Sequence, residues 1–503
     1  MIYIEEASCK LKHFSCIPQL KIIIALSIEK MLSVGFFIAT VITIWISRWV
    51  YRWRNPKCNG VLPPGSMGFP IIGETFQIFA PSYSFDIPFI NKKIQRYGPI
   101  FKTSFLGDPL IISADLEFNN HLLKQEGKQV EFWYMKSFNR VFFPQAGEAR
   151  VQADETVHKY LRATTLNHFG VECIKESLIA YIERLADQTL STCSKFDVVD
   201  ANQAISNMAF SITSKLIVGK DSPTMESLMD KISKAIVGFT SFNISIPGSA
   251  FYKCLKDKAI IFAALVKIIR RRIALSEVGH EDLINDVIED MSTRKFLTES
   301  FIPYFLFGTI FASFKSLAMT MTMVLKFLAD NSAVLDELTA EHGAILKRRK
   351  DPDSALTWEE YKSMTLTLDV IDETVRLGGG ILPGLFRRAM TDIHINGYTI
   401  PAGWTIMIDT NAHHLDEKIF ENPCEFNPWR WKDIDKETAL KSFMPFGRGS
   451  RQCTGSEYAR AFMATFLHVL VTKYRWKKIQ GGEVVRNFLL RFRNGFYIKV
   501  EEK

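Results

Sequence analysis

Within the ten residues Phe446-Gly447-Arg448-Gly449-Ser450-Arg451-Gln452-Cys453-Thr454-Gly455 the chain sets three glycines around one cysteine, and a helix-like run, Ser456 to Val471, follows at once. Such a segment restricts what can be built around it. Glycine admits positive φ and lets a flat ligand approach the backbone, so Gly447, Gly449 and Gly455 predict a tight loop delivering Cys453 to a helix start. Amide N–H groups there, with Arg448 and Arg451 nearby, are expected to lower the thiol pKa and favour the metal-binding thiolate. No Cys or His flanks Cys453 at zinc-like spacing. It would be a lone protein ligand, as when a macrocycle supplies the other bonds to an iron. The competing reading is a small buried hydrophobe.

The 503 residues show no sharp break in Pro, Gly or charge that would mark a linker, which predicts one large domain. The net charge of +8 is scattered, without an aromatic-interleaved basic patch, and this argues against nucleic acid. It leaves an acidic protein donor or anionic lipid headgroups as partners of a basic surface. The eight cysteines (Cys9, Cys16, Cys58, Cys173, Cys193, Cys254, Cys424, Cys453) are spread without a pairing pattern, unlike a secreted disulfide framework. A reducing, cytosol-facing setting follows.

Met31 to Ser47 is apolar and free of charge, at the short end of what spans a bilayer, and Leu20 to Ile28 adds apolar residues broken by Lys21. A cleaved signal peptide would end in small residues. Here the run meets the basic, aromatic belt Arg48-Trp49-Val50-Tyr51-Arg52-Trp53-Arg54, which favours an uncleaved anchor. The predicted organisation is an extension over residues 1–30, a transmembrane anchor over 31–50, a basic and proline-rich hinge over 51–70, and a folded domain over 71–503. Lys10, Lys12, Lys21 and Lys30 balance Arg48, Arg52, Arg54 and Lys57, so charge leaves the orientation open.

Between Tyr97 and Asp115 two apolar runs separated by Gly107-Asp108 predict a strand pair, and helical periodicity then dominates to about Leu377. The expected class is mainly α with a small β-sheet. Glu299 to Leu328 is apolar enough for a second span, but Lys315 and Lys326 favour a central core helix. Thr357-Trp358-Glu359-Glu360 is a capping box, glycines 378–380 end the next helix, and Asn396-Gly397 is a hairpin turn. Glu373 and Arg376, three apart, face each other, while His158 and Arg162 share one helix face. Either pair could be an ordinary surface feature.

The order F-x-x-G-x-R-x-C-x-G, filled at every fixed position from Phe446 to Gly455, resembles the haem-binding signature of the cytochrome P-450 family. The resemblance runs from about Leu62, whose Leu62-Pro63-Pro64-Gly65 resembles the family's proline-rich hinge, to the end. It implies the cytochrome P-450 fold in a single large domain, with haem iron held by Cys453 and with Phe446, Arg451 and Gly455 binding the cofactor. His158 and Arg162 match the W/H-x-x-x-R pair that holds one propionate; Arg387, or failing it Arg388, matches the second. Glu373 and Arg376 match E-x-x-R, which Arg430 would join as a structural clamp.

On the other haem face the family pattern is A-G-x-[D/E]-T, and Ala312-Ser313-Phe314-Lys315-Ser316 aligns with it. Ser313 stays small and Ser316 keeps a hydroxyl. Lys315 replaces the acid, and a charged ammonium donates but cannot accept, which puts proton delivery in doubt. Ala312, Lys315 and Ser316 are the predicted catalytic positions. The stretch Ile246-Pro247-Gly248-Ser249-Ala250-Phe251, with Trp429-Arg430-Trp431 and Asn167-His168-Phe169-Gly170, is similar to the plant branch that oxidises triterpenoids, sterols and brassinosteroids.

The implied function is monooxygenation of a large apolar polycycle with dioxygen and NADPH-derived electrons from a flavoprotein reductase. The implied location is the endoplasmic reticulum membrane, single-pass, with the catalytic domain in the cytosol. Because of Lys315, a thiolate-haem isomerase or peroxide-using enzyme, or a haem-binding protein with little turnover, stands as the alternative.

Overall fold

In the computed structural model of the chain, residues 29–143, 154–275, 281–351, 354–378 and 383–503 are described. The residues divide into two units, Met1–Lys57 and Cys58–Lys503. In the first, one helix runs Glu29–Arg54, and its apolar window is 0% buried within the protein. Among the described residues nothing covers that surface, as expected of a helix whose solvent is lipid. The helix runs beyond the expected 31–50 at both ends, so the basic belt forms its last turns. Residues 1–28 of the expected 1–30 extension lie outside the described residues.

The second unit is mainly helical around a five-stranded sheet in the order Ile100–Phe105, Asp108–Ser113, Thr405–Asp409, Gly384–Ala389, Val130–Phe132. The first two strands pair antiparallel as the sequence predicts. Their turn is Leu106-Gly107, both at positive φ (52° and 84°), one residue earlier than expected, and Asp108 already belongs to the second strand. Asn396 and Gly397, at φ 47° and 77°, make the predicted hairpin turn. The proline-rich segment packs onto both the five-stranded sheet and this hairpin: Lys102 N–H donates to the Pro64 carbonyl at 2.8 Å, and Thr399 N–H to that of Val61 at 2.7 Å.

The central helix, Ile302–Asp330, is 29 residues and therefore about 44 Å long. Its apolar window is 50% buried, in contrast to the exposed N-terminal helix, which identifies it as a core element. Phe307, Ile310, Phe314 and Met321 are fully buried in the main core. Helix Ala201–Val218 lies alongside, with Phe210 edge-on to Phe314 at 4.9 Å and Asn202 Nδ2 donating to Thr322 Oγ1 at 3.2 Å. Thr357 closes its predicted capping box with Glu360. Helix Thr365–Gly378 ends at the first of the three predicted stop glycines; Gly379 and Gly380 lie outside the described residues. Helix Ser456–Lys473, twelve of whose side chains are buried, anchors the cysteine loop from behind.

Candidate active site

The loop before Ser456 folds on its own backbone: Gly447 N–H donates to the Met444 carbonyl at 3.0 Å, and Cys453 N–H to that of Phe446 at 2.8 Å. Gly447 and Gly449 adopt φ of 71° and 76°, as their placement predicts. Gly455 does not. It caps the helix at φ −92°, and a Cβ there would meet nothing within 4 Å, so its smallness leaves open space rather than serving a left-handed turn. Arg448 turns outward, donating to Asn120 Oδ1 at 2.6 Å, and its pKa is lowered by burial. It borders a groove of about 490 Å3 shared with Lys124, Lys441 and His121.

Cys453 is accessible at its own surface yet enclosed by protein, as a side chain facing an internal space is. Burial pushes the thiol pKa up, while the Gly455 N–H and the charge of Arg162 pull it down. The expected lowering by the helix start and by Arg448 and Arg451 is therefore outweighed by desolvation. Arg162 reaches the loop directly, its Nη1 donating to the Gln452 carbonyl at 2.6 Å and to Thr454 Oγ1 at 3.2 Å.

His158, one turn before Arg162 on helix Glu155–Phe169, is half-buried. Burial first, then the charges of Arg451 and Arg162, push its pKa down to about 4. Arg387 pairs with Glu126, whose second carboxylate oxygen lies 3.6 Å from Arg451 Nε. Both guanidiniums stand over the Phe132 ring, at 5.8 and 6.0 Å. Arg388, the next residue on the strand, points to the opposite face, onto Glu131 and the Trp133 ring. Alternation along the strand thus sets Arg387, not Arg388, beside the cysteine loop.

The cluster of Arg162, Arg387 and Arg451 holds one buried carboxylate, Glu126, among the described residues. Three guanidiniums around one buried carboxylate suit a further anionic group such as the two propionates of a haem. The donor set fits that cofactor: one thiol, a carboxylate-binding rim, and Phe446 under the Arg460 guanidinium at 4.8 Å. Glu126 and Tyr134 escaped the sequence reading. Tyr134 is half-buried, its pKa pushed up to about 12 by burial, with Arg387 and Cys453 both close enough to act on it. No local pattern marks either residue, because their partners lie more than 250 positions away.

Behind the loop the predicted ionic residues meet. Arg376 donates through Nε and Nη2 to both oxygens of Glu373, at 2.9 and 2.8 Å, and both side chains are 0% exposed. That excludes the ordinary surface pair. Arg430 Nε donates to Glu373 Oε1 at 3.0 Å, and Arg376 Nη1 donates to the carbonyls of His414 and Pro423, each at 2.7 Å. Asn427 N–H adds a fourth bond to Glu373 at 3.1 Å, so the charges are buried but hydrogen-bonded.

On the central helix, Ala312 is exposed and Ser316 half-buried. Ser316 Oγ donates to the Ala312 carbonyl at 3.0 Å, and Ser313 Oγ to that of Thr309 at 2.7 Å, so both hydroxyls are turned onto their own helix. Lys315 is half-buried, its ammonium 5.6 Å from the Phe314 ring centroid. Burial lowers its pKa, against the pull of Asp230 and Asp200.

Comparison with known proteins agrees with this geometry. Residues 63–496 match the family model described as Cytochrome P450. Cucurbitadienol 11-hydroxylase of Siraitia grosvenorii is 43% identical over 94% of this chain and 100% of its own length. Beta-amyrin 16-alpha-hydroxylase of Maesa lanceolata is 44% identical over 93% and 99%. Among solved structures, a retinoic acid bound cyanobacterial CYP120A1 superposes with a TM-score of 0.75 over 89% of this chain and 100% of that one, at 23% identity, a likeness of fold.

Proposed function

The chain belongs to the cytochrome P450 family and is a monooxygenase, and from that premise we propose that it hydroxylates a triterpenoid or sterol skeleton. The observation that carries this reading is its similarity, over nearly the whole chain, to hydroxylases named for cucurbitadienol and beta-amyrin. The aromatic walls of the site agree with it. Tyr134, Phe138, Phe142, Phe307 and Phe386 form a continuous aromatic cluster with ring centroids 4.3 to 5.6 Å apart, in which the buried Phe142, Phe307 and Phe386 back the half-buried Tyr134 and Phe138. Such a wall holds a rigid apolar polycycle by area and shape.

Cys453 would hold the haem iron, and Arg162, Arg387, Arg451 and His158 its propionates. When bound, the haem supplies the oxygen-activating iron, and thiolate donation favours O–O cleavage. The protein's part is placement, exclusion of water by the aromatic walls, and proton supply. Ser316 can hold a proton at Oγ and release it by turning away from the Ala312 carbonyl. Lys315 Nζ, its pKa lowered by burial, is shifted in the sense a donor near neutral pH requires. Electrons would come from an NADPH-dependent flavoprotein reductase docking on the basic groove of Lys124, Lys441 and Arg448. The helix Glu29–Arg54 would anchor the chain in the endoplasmic reticulum membrane, catalytic unit in the cytosol.

Co-expression with such a reductase in cells making triterpenoid or sterol scaffolds should yield an NADPH-dependent hydroxylated product. Steady NADPH oxidation with no oxidised product across a broad panel contradicts the substrate reading. Lys315 also motivates a peroxide-driven route; turnover with an organic hydroperoxide but none with NADPH and reductase would replace the first reading by that one.

A further inference from the structure

At the far end of the aromatic walls stands a small polar cluster that the reaction does not use. Lys258, half-buried on helix Ala250–Leu275, donates to the Arg140 carbonyl at 3.0 Å and to the Tyr304 hydroxyl at 3.3 Å. Its ammonium lies over the Tyr304 and Phe262 rings, 4.4 and 5.0 Å from their centroids. Arg140 beside it donates to the neutral Asn243 Oδ1 at 2.6 Å. Neither cation has an ion pair with a carboxylate among the described residues, although a partly buried charge ordinarily finds one. An ammonium has three donors, and the acceptors found among the described residues number two, one of them long. Burial pulls the Lys258 pKa down to about 8, so the group is still mainly charged at neutral pH.

The cluster is joined to the reaction site by rings. Phe262 meets Tyr304 at 4.7 Å and Phe307 at 5.6 Å, and Phe142 packs on Phe307 and Phe311 at 5.1 and 4.7 Å. Along the central helix, Tyr304, Gly308 and Ala312 recur every fourth residue and so lie along one face. A Cβ on Gly308 would meet nothing within 4 Å, so that stretch is open. Eight residues of helix separate Tyr304 from Ala312, about 12 Å, the scale of a fused polycyclic skeleton.

We propose that Lys258 and Tyr304 bind the oxygen substituent of the substrate at the end of the polycycle opposite the carbon that is oxidised, and thereby select which carbon reaches the oxidant. The inference rests on the polycyclic substrate reading above. It names a chemistry that reading lacks: a hydrogen-bond acceptor, alcohol or carboxylate, recognised by a desolvated ammonium. An apolar chamber alone would bind a polycycle in several registers, and one charge-assisted bond at its end removes that degeneracy.

The test is equilibrium dialysis of the full-length, haem-loaded protein against a triterpenoid alcohol, the matching acid and the deoxygenated hydrocarbon. Wild type should prefer an oxygenated ligand by about 10- to 100-fold, the range of a hydrogen bond to a charged group. Lys258→Met should lose that preference while hydrocarbon binding and haem content stay unchanged, and Lys258→Arg should keep part of it. Tyr304→Phe should weaken it less, since the ring remains. Tighter binding of the acid than of the alcohol, abolished in Lys258→Met, would identify the substituent as a carboxylate; the reverse order identifies an alcohol. A Lys258→Met protein that keeps the preference, or loses all three ligands equally, overturns the inference while the substrate class stands. Wild type that binds none of the three overturns the class and the inference together.

Discussion

Around the cysteine loop, ion pairs do the positioning; on the central helix, rings and back-bonded hydroxyls do. Glu373, Arg376 and Arg430 are held by each other and by backbone carbonyls, so each buried charge has a fixed set of partners. On Ile302–Asp330, Ser313 and Ser316 bond to their own helix, and Lys315 balances burial against Asp230 and Asp200. The first arrangement tolerates no partial loss, because removing one partner strands another charge. The second can be altered without unfolding the chain. That difference predicts a stability phenotype on one side and a coupling phenotype on the other.

The sharpest break of this contrast is Glu373→Gln. It leaves two guanidiniums without a counter-charge and should cost about 3–5 kcal/mol, seen as a lowered urea midpoint and little recoverable haem protein. An unchanged midpoint would mean that the clamp is decorative. Next comes Arg387→Met, which leaves Glu126 only its longer contact with Arg451 and removes a proposed propionate partner. A loss of about 1–3 kcal/mol in cofactor retention is expected, read as faster haem transfer to apomyoglobin. Arg388→Met, on the opposite strand face, should leave that transfer rate near wild type.

Acid should find the same side weak. His342 and His468 meet through their Nδ1 atoms at 3.0 Å behind the loop, with pKa values pushed down to about 3 and about 4, mainly by burial. Neutral burial of this kind is without effect above about pH 6.5, where the unfolded chain's histidines are neutral too. Below it, stability falls until the folded values are reached, on the order of 1 kcal/mol per histidine for each pH unit. Asp369 and Asp409, pushed up to about 6 by burial, oppose part of that loss. Urea midpoints from pH 7.5 to 5 should decline, and His342→Gln should flatten the decline. A pH-independent midpoint contradicts the assignment.

The smallest effect on the fold is expected on the central helix. Lys315→Glu should leave the urea midpoint near wild type and raise product formed per NADPH consumed. If the ratio falls instead, Lys315 itself serves proton delivery.

The same contrast explains what could be read from the sequence. Features set by short spacing were legible: Cys453 after its glycines, the Thr357 capping box, the Asn396-Gly397 turn, and Glu373 with Arg376 one helical turn apart. Leu106 at positive φ was not, since leucine is no turn former and the position is imposed by the strand register around it. Gly455 misled because glycine was read as a φ requirement where it leaves room. Glu126, Tyr134 and Lys258 were invisible for a common reason. Each takes its meaning from groups brought near by the fold, such as Arg387 for the first two and Tyr304 for the third.

The central claim, that Cys453 holds a haem iron as thiolate, is tested most directly by the reduced carbon monoxide difference spectrum of wild type and Cys453→Ser. A thiolate-type Soret band in wild type, absent from the serine variant, is the predicted result; the same band in both, or in neither while haem is bound, would contradict it.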